Sequence, residues 1–394
     1  MTAGILDFLK EREENMFKLL EQMVIVQSGS FNKKGVDDVG KLITEVLRAH
    51  DLSIQLIEEK EYGNHLIASS RFVEKTERRI LLVGHMDTVF PENTHFRWFK
   101  EDEKHVFGPG VVDMKGGLVV GIYAMKALDR LGVLEKIPIT FVFNSDEEIG
   151  SPSSRQIIEN YARKSAFAIV LECGGLDGEV VTGRKGKCNL RLDVKGKAQH
   201  SASTTKEKTS AVVELSYKNL ELEAMNGLGA GISINVGKIE GGIGPNTVPE
   251  EATALIDVRF SNTHEERLIR NGVQDLIRRA HVTGTRSEVT ILSERPPMEQ
   301  NPANKKLFEI VEAQARHLGI GVKEEFRSGA SDANLIAGQK TPVIDGLGPI
   351  GDLDHSDREY MLKESLLKRS QLLALSILEG WHLYRSGKLF SHDN

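Results

Sequence analysis

Continuous apolar runs of strand length alternate with helical spacing through the first part of the chain. Ile80 to Val83, Ile137 to Phe143 and Ala166 to Leu171 are the runs, and Gly117 to Leu131 and Ser154 to Lys164 space their apolar residues as helices do. Strands apolar on both faces predict a mostly parallel sheet covered by helices, an α/β domain. From about Lys185 the texture changes to alternation, as in Asn189-Leu-Arg-Leu-Asp-Val194, which predicts a sheet with one exposed face. The order there reads strand (188–197), helix (207–225), strand (231–239), strand (251–260), helix (264–281), strand (287–293). That is a split βαβ arrangement of ferredoxin-like type. Arg295-Pro296-Pro297 punctuates the chain, after which a helix from Asn304 to Leu318 and the run Thr341 to Leu347 resume the first texture. The pattern therefore predicts a first domain formed by 1–184 and 296–394, with 185–295 inserted into it.

Composition narrows the class. With 394 residues and 40% hydrophobic content the chain can bury a large core in two domains. A net charge of -6 with both signs interspersed lacks the basic footprint of a nucleic-acid binder. No apolar stretch is long enough to span a bilayer, and Met1 to Ser30 has an amphipathic helical pattern, not that of a secretory signal. Cys173 and Cys188 alone offer no disulfide framework, and a reducing cytoplasm is the expected location.

Candidate chemistry sits where the apolar runs end. Leu-Leu-Val-Gly-His85-Met-Asp87, Pro-Gly-Val-Val-Asp113, Phe-Val-Phe-Asn-Ser-Asp-Glu147-Glu148 and Ala-Ile-Val-Leu-Glu172 each finish in imidazole or carboxylate, and His355 follows far downstream. Ligands bind α/β sheets beyond the carboxyl ends of the strands, and repeated carboxylates and imidazoles there suit a two-metal hydrolase. His85 is a candidate ligand whose other ring nitrogen donates to Asp87; alternatively it is a loop-end histidine with a polar partner. Asp113, between glycines, is either a helix cap or a carboxylate bridging two cations. Glu147 and Glu148 are costly to desolvate side by side without a cation, so on extended backbone one would ligate metal and the other face a water as general base. The bland alternative is a solvated acidic turn with Asp146.

Together these motifs resemble one family. His85-x-Asp87, Gly-Pro-Gly-x-x-Asp113-x-Lys-Gly-Gly, Asp146-Glu147-Glu148-x-Gly, Glu172 and His355-Ser-Asp are similar to the two-zinc metallopeptidases that include glutamate carboxypeptidases, aminoacylases, acetylornithine deacetylase, succinyl-diaminopimelate desuccinylase and tripeptide aminopeptidase. The resemblance implies one zinc on His85 and Glu172, another on Glu148 and His355, Asp113 between them, Glu147 as general base, and a cis peptide bond after Asp113. Cobalt and manganese share these ligands. In the inserted domain, Gly196-Lys-Ala-Gln-His200-Ser resembles the motif whose histidine stabilises the oxyanion in a partner subunit's site, implying a homodimer through that domain. Gly-Pro-Asn246-Thr-Val-Pro and Asp257-Val-Arg259 resemble substrate-binding stretches, the arginine gripping a carboxylate. Glu294-Arg-Pro-Pro297, Gly329-Ala-Ser-Asp332-Ala and Thr341-Pro-Val-Ile-Asp-Gly-Leu-Gly348 are most similar to glutamate carboxypeptidases, with departures at Cys173, where proline is common, and at Ser328-Gly-Ala-Ser331. The implied substrate is a small peptide or N-acyl amino acid, cleaved at an amide next to a free carboxylate. An N-acyl amino-acid deacylase is the alternative, and no nucleic acid or membrane partner is expected.

Overall fold

The computed structural model describes residues 2–203 and 208–390. The chain forms two compact units, one of Met1–Gly183, Gln300–Phe326 and Ser331–Asn394, the other of Arg184–Glu299 and Arg327–Ala330. The expected borders at 184/185 and 295/296 therefore shift. The cause is backbone pairing: Arg184 and Met298 exchange N–H···O bonds of 2.8 and 3.0 Å, and Lys185 N–H donates to the Arg327 carbonyl at 3.0 Å. The second unit thus keeps the chain to Glu299 and takes back Arg327–Ala330.

The first unit is built on a six-stranded sheet. Its strands are β1 (Leu52–Ile57), β2 (His65–Ser70), β3 (Arg79–His85), β4 (Ile139–Asn144), β5 (Ser165–Val170) and the short Val343–Ile344, in spatial order β1-β2-β4-β3-β5 and then Val343–Ile344. β3 lies between β4 and β5 and is parallel to both, so the three carboxyl ends open side by side. β1 and β2 are antiparallel additions at one edge that the hydrophobic pattern did not predict. β2 is buried throughout yet reads His-Leu-Ile-Ala-Ser-Ser. Its polar side chains are satisfied internally, Ser69 Oγ lying 3.0 Å from Thr140 Oγ1 and Ser70 Oγ donating to the Ile137 carbonyl at 2.8 Å.

Helices cover the sheet as the apolar spacing predicts. Lys115–Arg130 is buried along most of its length, and Gly117 lets it press on the end of β5, since a Cβ there would collide with the Leu171 carbonyl oxygen. The predicted N-terminal helix is two helices, Thr2–Glu11 and Glu13–Val24, broken at Arg12. Its first residue, Met1, lies outside the described residues. Of the apolar run Thr341 to Leu347, only Val343–Ile344 pairs as strand.

The second unit has β6 (Gly186–Lys195), β7 (Ser233–Gly241), β8 (Glu251–Phe260) and β9 (Arg286–Arg295) in antiparallel order β7-β8-β6-β9. With helices Ala211–Ala224 and Thr263–Arg278 this is the ferredoxin-like order. The helix expected from residue 207 begins outside the described residues and is observed from Ala211. Leu190, Leu192, Val194, Ala254, Ile256 and Val258, the inward positions of the alternation, form its core with Leu215 and Leu276.

Candidate metal centre

Five candidate ligands converge at the carboxyl ends of the parallel strands. His85 ends β3, Glu148 follows β4 and Glu172 follows β5. Asp113 stands just before helix Lys115–Arg130, and the Asp113–Met114 peptide bond is cis. His355 sits between the paired segments Gly351–Asp352 and Tyr360–Leu362. Both His355 and Leu353 adopt left-handed backbone, φ 59° and 60°, which bends this polar loop back toward Asp113.

The two oxygens of Asp113 face different partners. Oδ1 lies 3.1 Å from His85 Nε2, which is 3.7 Å from Glu172 Oε1. Oδ2 lies 3.1 Å from His355 Nε2, which is 3.3 Å from Glu148 Oε2. One carboxylate therefore stands between two histidine–glutamate pairs. Ligand atoms of His85, Asp113 and Glu148 all fall within 4.8 Å of one another, as do those of Asp113, Asp354 and His355. Asp354, missed in the sequence, was signalled only by its place beside His355.

Electrostatics mark this cluster as short of positive charge. Burial, reinforced by the charge of Asp113, pushes Glu148 up to about 8 and Glu172 well above the usual carboxylate range. Hydrogen bonds to Asp113 and Glu148 raise His355 to about 11. His85 is raised as well, its bonds to Asp113 and Asp87 outweighing its burial. Asp113, although buried, is held below its ordinary value by His355 and His85. Among the described residues His85 and His355 are the only ion-pair partners of Asp113, Glu148 and Glu172. Glu148 Oε1 is buried with no hydrogen-bond partner. An orphaned acidic oxygen among imidazoles and carboxylates fits divalent cations in chemistry and in placement.

Asp87 holds this cluster differently from the sequence expectation. His85 Nδ1 lies 2.9 Å from the Asp87 backbone carbonyl and 3.4 Å from its Oδ1, so the carbonyl is the nearer acceptor. The carboxylate instead accepts from Glu147 N–H and Glu148 N–H, each at 3.2 Å, and from Ser30 Oγ at 2.7 Å. Glu147–Ile149 is consequently a 3₁₀ turn and not the expected extended backbone. Successive side chains still diverge there, by about a third of a turn. Further buried carboxylates brace the turn and its neighbours, Asp146 and Asp332 from the quoted motifs and Glu359, which the sequence did not single out. Asp146 accepts from Ser153 N–H and Oγ and from Ser154 N–H, Asp332 from Asn144 Nδ2 and Ser151 Oγ, and Glu359 from the Asp113 loop. For Asp332 and Glu359, contacts distant in sequence expose the role.

The remaining candidates belong to the second unit. Gln199–His200 pairs with Thr247–Val248, and Ser201 N–H donates to the Asn246 carbonyl at 2.9 Å, so His200 and Asn246 are neighbours. His200 Nδ1 accepts the Ala202 N–H at 3.2 Å, which assigns the neutral ring's proton to Nε2. Arg259 Nε bonds Asp257 Oδ2 at 3.0 Å, orienting the guanidinium through an atom other than its terminal nitrogens.

Comparison with known proteins gives the family. Residues 81–379 match the model of peptidase family M20/M25/M40. The chain is 26% identical over 378 residues to carboxypeptidase G2 of Pseudomonas sp. (strain RS-16), covering 94% of this chain and 90% of that protein. It is 27% identical over 349 residues to succinyl-diaminopimelate desuccinylase of Rickettsia bellii (strain RML369-C), covering 83% and 87%. A putative aminohydrolase from methicillin resistant Staphylococcus aureus shares the fold, with a TM-score of 0.77 at 16% identity over 96% of this chain and 99% of that one. The chain belongs to peptidase family M20/M25/M40 and is a metal-dependent hydrolase.

Proposed function

We propose that this hydrolase is a glutamate carboxypeptidase-like enzyme that cleaves an amide bond next to a free amino-acid carboxylate. The observation that carries the reading is Asp113, with one oxygen toward His85 and the other toward His355. His85 and Glu172 would hold one zinc ion, Glu148 and His355 the second, and Asp113 would bridge them, with cobalt and manganese as chemical equivalents. Such ions, when bound, supply Lewis acidity to the attacking water and to the scissile carbonyl. Glu147 takes the proton from that water as its oxygen joins the carbonyl carbon. When the C–N bond breaks, Glu147 returns this proton to the departing nitrogen, which leaves as an amine. His200 Nε2–H donates to the oxyanion, Asn246 orients the substrate beside it, and the Arg259 guanidinium grips the free carboxylate.

Metal-dependent turnover of N-acyl-glutamate, N-acyl-aspartate, N-acyl-ornithine and dipeptides tests the substrate class. Esterifying the free carboxylate should cost about 10- to 100-fold in kcat/KM, the loss of a charge-assisted bond. Equal rates on ester and acid would remove the role given to Arg259. The similarity to a desuccinylase keeps an N-acyl amino-acid deacylase as the second reading, which preference for acetyl or succinyl donors would favour.

We also place the protein in the cytoplasm, as its two-cysteine composition suits, and as a homodimer through the second unit. Its β7 edge strand and the exposed Val213, Tyr217 and Leu220 of helix Ala211–Ala224 support that association. With His200 serving the partner's site, mixing inactive His200→Ala and Glu147→Ala subunits should restore up to about a quarter of wild-type activity, since random pairing leaves half the dimers hybrid, each with one intact site. Verified exchange without recovery would rule out action across the interface.

A further inference from the structure

Glu359 is fully buried and has no part in the hydrolytic steps above. Its Oε2 accepts from Gly110 N–H at 2.8 Å, and its Oε1 from Val112 N–H at 2.9 Å and Asp113 N–H at 3.1 Å. One carboxylate thus satisfies three main-chain donors of the loop that presents Asp113. Glu359 also begins the return leg of the hairpin that carries His355. Directly after it, Tyr360, Met361 and Leu362 pair with Phe107, Val106 and His105, the strand that leads into the Asp113 loop. The two segments are therefore tied at a ladder and again at Glu359, while the His355 tip between them is a polar, exposed turn.

His85 and Glu172 differ in this respect, because strands of the main sheet hold them independently of Glu359. We infer that Glu359 is a positioning residue that sets the separation of Asp113 and His355 and thereby the affinity of the Glu148–His355 metal position, more than that of the His85–Glu172 position. The inference rests on the two-metal reading. Its chemistry is specific to a carboxylate: in Glu359→Gln an NH₂ group replaces one oxygen, so a donor faces a main-chain donor and one or two of the three bonds are lost.

Metal-stripped wild type, Glu359→Gln, His355→Ala and the double variant would be titrated with zinc and with cobalt by calorimetry, with urea unfolding of each metal-free protein alongside. Wild type should take up two ions per chain. Glu359→Gln should weaken one step by about 10- to 100-fold, the range for residues that orient ligands, and disturb the other far less. In the His355→Ala background, where that step is already lost, Glu359→Gln should add little. Unchanged affinities, or equal losses at both steps matching a loss of metal-free stability, would overturn the inference. If Glu359→Gln does not fold, Glu359→Asp, which keeps the carboxyl group but shortens the reach, takes its place under the same criteria. A wild type binding fewer than two ions would refute the two-metal reading itself, and this inference with it.

Discussion

Glu147→Gln should lower kcat by roughly 100- to 10,000-fold, the range for removing a general base, while both metal ions stay bound. The substitution keeps the size of the side chain and leaves the main-chain bonds intact, because Glu147 N–H and Glu148 N–H go to the Asp87 carboxylate whatever residue 147 carries. It removes only the group that can accept a proton from water and return it to the amine. Metal content by atomic absorption, measured beside steady-state kinetics, checks both halves. Full turnover in the variant would end the assignment of Glu147, and loss of metal would turn it into a ligand.

Asp113→Ala should do the reverse, weakening metal uptake by more than about 100-fold, since one side chain supplies an oxygen to each position and a shared ligand should exceed the effect of an orienting residue. Its removal also leaves His85 and His355 without the carboxylate that each faces at 3.1 Å. Uptake by the wild type should depend on pH with a defined sign. In the metal-free protein hydrogen bonds to Asp113 and Glu148 raise His355 to about 11 and burial raises Glu148, so the pair as a whole holds protons at neutrality. Entering ions must displace those protons, so affinity rises with pH and binding releases protons. Calorimetry in buffers of different ionisation enthalpy measures that release. Affinity independent of pH between 6 and 8 would contradict it.

Some of the site was legible because chemistry and strand ends coincide along the chain. His85, Glu148 and Glu172 each close or follow an apolar run, and parallel strands that are neighbours in the sheet bring their ends together without further instruction. The alternation at 189–194 likewise marks the second unit, because a half-exposed antiparallel strand must alternate. Strand β2 was hidden for a complementary reason: buried serines and a histidine, each bonded to a residue outside the strand, look like an exposed segment until their partners are known. His65 Nδ1, for example, lies 3.0 Å from Ser145 Oγ, a residue of the acidic turn.

His355 shows where local reading runs out. It lies 242 positions from Asp113, in a polar loop whose approach depends on two left-handed residues and on a ladder to His105–Phe107. Residue types and periodicity were enough to specify the two kinds of sheet, the inserted arrangement and the set of acidic and imidazole side chains at strand ends. Those properties follow from backbone geometry and burial, which act over a few residues. Folding in three dimensions was needed to give each oxygen of Asp113 its own histidine, to turn the Asp87 carboxylate onto the Glu147 and Glu148 amides, and to close Glu359 over the Asp113 loop. Each of these is a contact of a few ångströms between segments far apart in the chain, and no local pattern encodes the partner.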